Sequence, residues 1–216
     1  MVLAVPRPLG LLLKHLADRI VAVLLLALLS PLIGLIAWRI RREDGGPVFF
    51  RQERAGKGGR PFQVWKFRSM MVGADRIGLG LNIAAGDERI TRTGRLLRDW
   101  SLDEVPQLIN VARGEMSLVG PRPGLVDQAA RYDDVQRRRL DLRPGLTGWA
   151  QVNGRNSLSW EQRIVLDVWY VEHWSPALDL QILRRTLGVV IRREGLFGDG
   201  GANADLGGST GAKREP

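Results

Sequence analysis

Residues Ser101 to Pro123 read SLDEVPQLINVARGEMSLVGPRP, and the rest of the chain is best read outward from them. Two adjacent acids, Asp103 and Glu104, open the stretch. An amphipathic segment, Val105 to Ala112, follows. The stretch closes on Gly120-Pro121-Arg122-Pro123, where two prolines hold an arginine in a fixed, extended backbone. Pro106 locates the acids. A proline deep inside a helix removes a hydrogen bond and clashes, whereas in the first turn it replaces an N–H that has no partner anyway. The spacing therefore predicts a helix that starts close to Asp103, with Asp103 at or beside the N-cap and its carboxylate facing the positive end of the helix dipole. A plainer reading fits the same residues: Ser101-Leu102-Asp103-Glu104 has the S-x-x-E pattern of a capping box. These four residues leave both readings open, and their company has to weigh them.

The chain has 216 residues and a net charge of +9. That length suits one domain plus an appendage. The basic balance points to an anionic partner: nucleic acid, an anionic membrane surface or a phosphorylated substrate. The absence of cysteine excludes a disulfide framework and a thiolate metal site. His15 and His173 are the only histidines, far apart in sequence, so a histidine-rich metal site is excluded too. The seven tryptophans suit a membrane–water interface, although tryptophan also fills cores.

Ile20 to Trp38, IVAVLLLALLSPLIGLIAW, is uncharged and apolar. As a straight helix it would cover roughly 28 Å, close to the hydrocarbon thickness of a bilayer. It is longer than a signal-peptide core, and Arg39-Ile40-Arg41-Arg42 follows it where a small-residue cleavage site would stand. A plain spanning helix is disfavoured by Ser30-Pro31 near its middle and by basic residues on both flanks: Lys14 and Arg19 before, Arg39, Arg41 and Arg42 after. A helix that breaks at Ser30-Pro31 and returns through the same leaflet meets both conditions.

Val48-Phe49-Phe50 and Phe62-Gln63-Val64-Trp65 are strand-like and joined across Gly56-Lys57-Gly58-Gly59, which predicts a hairpin leading into Lys66-Phe67-Arg68-Ser69-Met70. Val72 to Asp87 reads as a loop. Arg92, Arg95 and Arg98 recur at helical spacing, and Arg98 arrives five residues before Asp103. Leu125 to Leu142 is polar and helix-compatible, and Pro144 to Gly148 interrupts it. Trp149 to Asn156 suggests a strand and a turn. Ser159 starts a helix with aromatic and aliphatic residues. A second helix spans Ala177 to Arg193, and Gly198 to Pro216 is rich in glycine and small residues, a composition that predicts disorder.

The apolar run with Ser30-Pro31, then GPVFFRQERAGKGGRPFQVWKFRSM, SLDEVPQLINVARGEMSLVGPRP, RPGLTGWAQVNGRN and DVWYVEHWS, in that order between about Lys14 and Leu187, together resemble the bacterial sugar transferases, the monotopic phosphoglycosyl transferases, in their minimal catalytic form. The resemblance implies transfer of a phosphosugar from a UDP-sugar to polyprenyl (undecaprenyl) phosphate with release of UMP. It implies a need for Mg²⁺ and a place at the cytoplasmic face of the bacterial inner membrane. There such enzymes start exopolysaccharide, O-antigen or glycoprotein glycans. Asp103 and Glu104 match the family's acid pair, and Ser30-Pro31 its re-entrant break. Asp103 would then be a nucleophile and a Mg²⁺ ligand, with Glu104 assisting as a base or a metal-orienting group. Two departures stand out. Glu115 occupies a position where many relatives have aspartate. Gly124 follows the proline–arginine motif where many glucose- or galactose-transferring relatives have glutamate, which favours an N-acetylated or amino sugar over a hexose.

The expected fold is α+β. Residues 1–42 form a re-entrant membrane helix-break-helix. Residues 43–198 form a compact, mostly helical cytoplasmic catalytic domain with a small β-hairpin and interfacial amphipathic helices, and 199–216 a disordered tail. Both substrates are phosphorylated, so arginine forks are the natural clamps: Arg98 and Arg122 first, with Lys66 and Arg68 as further candidates. Mg²⁺ commonly takes one or two carboxylates plus substrate phosphates, which the acid pair can supply. Asn153, Arg155 and Asn156 fit either nucleotide or sugar contacts or a simple turn. The expected partners are UDP-sugar, polyprenyl phosphate and inner-membrane lipids, not nucleic acid, and a homodimer is left open. A membrane-attached scaffold would explain the anchor and the charge but gives no reason for an acid pair followed by a proline-braced arginine. A nucleic-acid binder would not need the apolar run, and no recognisable nucleic-acid module is present.

Overall fold

The computed structural model describes residues 7–74 and 86–192; the expected tail and most of the expected loop lie outside them. Helix α1 spans Arg7–Asp44. Strands β1 (Phe49–Ala55) and β2 (Pro61–Phe67) form the expected antiparallel hairpin, with a 3₁₀ turn at Lys57–Gly59. Then come α2 (Arg92–Asp99), α3 (Gln107–Arg113), β3 (Ser117–Val119), α4 (Val126–Ala129), α5 (Asp134–Arg137), β4 (Gly145–Thr147), α6 (Trp149–Val152), α7 (Trp160–His173) and α8 (Pro176–Arg192). The architecture is mixed and mostly helical.

Helix α1 is the longest element, and an 18-residue window within it reaches a mean hydropathy of 2.8. By length and composition it can cross a membrane, and it is mostly exposed, unlike the core helix of a soluble protein. The break expected at Ser30-Pro31 is not an interruption of the helix, which stays helical through both residues. The physical reason is local. Pro31 has no N–H for the carbonyl of Ala27, four residues back, and the Ser30 hydroxyl donates to that same oxygen at 2.8 Å.

Both ends of α1 pack on the globular part. Near its start, Lys14 pairs with Asp18 (3.3 Å) and with Asp179 of α8 (2.7 Å), and Asp18 accepts from the Ser117 hydroxyl and the Leu118 N–H of β3. Ala22 is fully buried in the main core with Val111, Met116, Val119, Tyr170 and Ile182. At the other end, Ile36 and Ile40 form a second core with Phe67 and Leu97. There Glu43 accepts from the backbone N–H groups of Arg92 (2.7 Å) and Thr93 (3.1 Å), so a carboxylate sits at the positive end of α2.

The second half of the central stretch hides a strand. Ser117–Val119 is buried throughout and pairs in parallel with Gly145–Thr147, Ser117 opposite Gly145 and Val119 opposite Thr147. The backbones cross closely at Gly120 and Gly145: a Cβ on Gly145 would meet the Gly120 nitrogen at 2.1 Å. Hydrogen bonds from Gly120 N–H to Thr147 O and from Gly145 N–H to Pro121 O, both 2.9 Å, fix the start of the proline–arginine motif. Trp149–Val152, expected as a strand, is a helical turn instead. Leu125 to Leu142, expected as one segment, divides into α4, α5 and a 3₁₀ turn. Helices α7 and α8 stand close to where expected, α7 capped by the Ser159 hydroxyl accepting from Gln162 N–H.

Candidate active site

The acids do not open α3. Asp103 and Glu104 lie on a separate 3₁₀ turn, Leu102–Glu104, and Pro106 takes the N-cap position of α3 three residues later. The capping-box reading fails as well. Ser101 has φ 55°, in the left-handed region, and makes no side-chain cap. Its hydroxyl instead accepts from the Arg155 guanidinium at 3.0 Å. The tight turn brings both acids into one buried place.

Their surroundings differ sharply. Glu104 accepts from Lys66 Nζ (2.9 Å) and from Arg122 Nη2 (2.8 Å), with Arg122 Nη1 at 3.4 Å from its other oxygen. Burial pushes the Glu104 carboxyl upward, but Arg122 and Lys66 outweigh it and hold the group well below the usual carboxylate range. Asp103 is 9 % exposed. Among the described residues its carboxylate makes no hydrogen bond or ion pair. Burial therefore dominates and raises its pKa, assisted by the Glu104 charge and opposed by Lys66, Arg98 and Arg122. One acid is fully paired and firmly ionised; its neighbour is desolvated, unpaired and ringed at longer range by cations.

Each cation is set by packing. Asn110 of α3, fully buried, accepts from Trp65 N–H (3.0 Å) and donates to Gln63 O (2.7 Å), so α3 grips the edge of β2 and delivers Lys66 to Glu104. Glu115, the conservative departure, accepts the other Asn110 amide hydrogen at 2.7 Å. Arg98, in the last turn of α2, donates from Nε to Ser69 Oγ at 2.8 Å. Gly94 lets α2 press against that strand exit: a Cβ there would meet Ser69 O at 1.9 Å. Arg122 is held from behind, its carbonyl accepting from Arg139 Nη2 at 3.0 Å. Arg139 in turn donates to the Tyr132 hydroxyl and pairs with Asp167 of α7.

Of the candidates, Asp103, Glu104, Lys66, Arg98 and Arg122 are brought together. Arg68 is not. It is buried at the base of α1, where it forks onto Asp44 and donates to Pro47 O at 2.6 Å. That use ties α1 to the hairpin and corrects the phosphate role expected of it. For Arg155 and Asn156 the open readings were ligand contacts or a simple turn: both lie on a 3₁₀ turn, Arg155–Ser157, and both line an open cleft. Asn153 accepts from Arg185 and is drawn to α8. Arg139 and Asp167 were missed. The signal for Asp167 was available: with Ile164, Val168 and Val171 it falls on the buried face of α7, where a carboxylate needs a reason.

Two adjacent carboxylates in opposite electrostatic states, beside two arginines and a lysine, can receive a diphosphate and attack it. Residues 9–193 match the family described as Bacterial sugar transferase. This chain is a bacterial sugar transferase. Among similar members of the family, the sugar transferase EpsL of Bacillus subtilis (strain 168) is 47% identical over 186 residues, 86% of this chain and 91% of its own length. The exopolysaccharide production protein ExoY of Sinorhizobium fredii (strain NBRC 101917 / NGR234) is 40% identical over 205 residues, 88% of this chain and 91% of its own. The UDP-glucose:undecaprenyl-phosphate glucose-1-phosphate transferase of Caulobacter vibrioides (strain ATCC 19089 / CIP 103742 / CB 15) is 44% identical over 189 residues, 81% and 68%. Within this sugar transferase, among the described residues, no group of three or more histidine and acidic side chains gathers as a metal cage. The acid pair still fits Mg²⁺, which is commonly held by one or two carboxylates and the phosphates of a substrate, and the Asp103 carboxylate carries no other partner.

Proposed function

We propose that this sugar transferase moves a sugar 1-phosphate from a UDP-sugar to polyprenyl phosphate, in exopolysaccharide or related glycan assembly, through a covalent phosphosugar–Asp103 intermediate. The observation that carries the reading is the unpaired, buried Asp103 carboxylate beside a fully paired Glu104. A nucleophile needs accessible lone pairs, and ion pairs on Asp103 itself would tie them up. Glu104 instead holds Lys66 and Arg122 in place, where their charge can meet the donor's diphosphate. In the first step an Asp103 oxygen bonds to the sugar-linked phosphorus, the bond to the bridging oxygen breaks, and UMP leaves with that electron pair. In the second step a phosphate oxygen of the lipid bonds to the same phosphorus and the acyl–phosphate bond breaks, which restores the Asp103 carboxylate. A Mg²⁺ ion bound through Asp103 and the donor's phosphates would supply charge that offsets repulsion between them.

The membrane placement has its own support. Both flanks of the apolar run are tied into the same globular part, Lys14 to Asp179 and Asp44 to Arg68. A helix whose two ends hold one domain fits entry and exit on one face, with both ends cytoplasmic. Leu180, Leu183, Leu187 and Ile191 form an exposed apolar stripe on α8, the pattern of a helix lying in an interface.

Purified enzyme with Mg²⁺ and labelled UDP-sugars, without lipid, should release UMP and retain label on the protein. The label should pass to polyprenyl phosphate when that is added, and Asp103→Asn should take up none. UMP release only in the presence of lipid would replace the covalent route with direct transfer. No release with any donor would leave a scaffold role.

A further inference from the structure

Behind Arg122 lies an open cleft lined by α6, by the start of α7 and by Pro123-Gly124. Three of its features stand outside the reaction steps above. Gln151 of α6 has neither its amide oxygen nor its amide nitrogen hydrogen-bonded, although both atoms are buried. Asp167, 1 % exposed, uses one oxygen on Arg139 and leaves Oδ1 without a partner. Gly124 gives the cleft a wall of bare backbone: a Cβ there would come within 2.7 Å of the Tyr132 hydroxyl, which Arg139 holds.

Buried polar atoms are nearly always paired, by protein, water or ligand. At Gln151 and Asp167 the unmet atoms are two acceptors and one donor group, beside a cleft open to solvent. Adjacent hydroxyls on a ring meet it. One hydroxyl can donate to Asp167 Oδ1 and accept from the Gln151 amide, and its neighbour can donate to the Gln151 oxygen. A bare phosphate, with no hydrogens to give, cannot satisfy Asp167 Oδ1 or the Gln151 oxygen. The cleft meets the acid site at Arg122, which is both the partner of Glu104 and part of the cleft wall. On the far side Arg155 reaches from the cleft to Ser101, two residues before Asp103.

We infer that this cleft is the subsite for a diol-bearing ring of the donor, pyranose or ribose, and that Gln151 and Asp167 determine which ring it accepts. The inference rests on the donor being a nucleotide sugar, as proposed above. Gln151 is the cleaner residue to test, because no hydrogen bond within the protein is lost with it.

The experiment uses the full chain in lipid nanodiscs, wild type against Gln151→Ala, with Asp167→Asn included once its melting temperature has been checked. Titration with UMP and, separately, with sugar 1-phosphates reads the cleft directly. Loss of a hydrogen-bonding side chain should weaken one of these ligands by about tenfold. A loss confined to UMP assigns the ribose, and a loss confined to a sugar 1-phosphate assigns the pyranose. In turnover, Gln151→Ala should raise KM for the UDP-sugar and leave kcat close to wild type. If Gln151→Ala binds both ligands within twofold of wild type, the polar atoms are served by water and the subsite is refuted. If wild type transfers nothing from any donor, the proposed reaction fails, and the titrations still decide the cleft.

Discussion

Ser101 and Arg155, 54 residues apart, are the two non-glycine residues with left-handed backbone among the described residues, at φ 55° and 52°, and they are hydrogen-bonded to each other. Such a conformation costs roughly 1 kcal/mol or more per residue. One of the pair precedes the turn that carries Asp103; the other lines the cleft. The bond holds the turn that carries the acid pair against a distant segment, and it draws the Ser101 side chain away from the cap that the sequence suggested.

Ser101 variants should separate backbone from side chain. Ser101→Asn keeps an acceptor and tolerates the left-handed region, so melting temperature and turnover should stay near wild type. Ser101→Val loses the acceptor and is β-branched at a positive φ, and should cost about 2 kcal/mol or more. Equal stability of the two variants in chemical denaturation would mean that neither the bond nor the backbone conformation matters.

The pH dependence follows from Asp103. If Asp103 attacks as proposed it must be ionised, so its raised pKa should put the acidic limb of kcat/KM above the ordinary carboxylate range. Lys66 favours the charged form, so Lys66→Met should move that limb to higher pH. Stability should run the other way. A carboxyl raised on folding stabilises fully below its unfolded pKa, and this contribution is lost as pH rises through the folded value. Asp103→Asn removes that loss, so its melting temperature relative to wild type should rise with pH, while its activity falls by on the order of 10³-fold. A melting-temperature difference that does not change with pH would contradict the desolvated carboxylate.

Arg122→Lys keeps the charge beside Glu104 but not the fork that now spans both of its oxygens. Turnover should drop by about tenfold or more with the fold intact by circular dichroism. Near wild-type turnover would show that a point charge is enough there.

Topology can be read by labelling. Single cysteines at Leu9 and at Val135, both exposed, should react with an impermeant reagent from the same, cytoplasmic side of the membrane. A proline inside a helix favours a bend even where the helix continues, so Pro31→Leu should favour a straight span, which would move Leu9 to the other side. Labelling of wild-type Leu9→Cys from the periplasm would overturn the same-side arrangement.

The hairpin was legible because strand-like runs flank a glycine cluster, and α2, α7 and α8 because their spacing or caps are local. The acid pair was legible through the family resemblance and not through Pro106, which caps α3 without placing the acids in it. The beginning of α3 was not, because Ser101 is turned by Arg155, a contact no local pattern reports. Strand β3 was hidden because three residues carry too little period, and its partner lies across a long connection. Arg68 read as a phosphate ligand because it follows Lys66 so closely, yet its partner is Asp44 on α1. Trp149–Val152 has a strand-like composition but follows Gly148, whose extended backbone ends the ladder and lets a helical turn begin.

Helix α1 supplies Ala22 to one core and Ile36 and Ile40 to another. It is therefore not a tether that could be trimmed away. Without it Val111, Phe67 and Leu97 would face water, and a truncated chain would lack part of its interior. The same arrangement makes α1 a gauge: with both its ends fastened to the body that carries Asp103, the height of that carboxylate above any surface the helix enters is fixed by side-chain packing and does not vary with the slack of a linker.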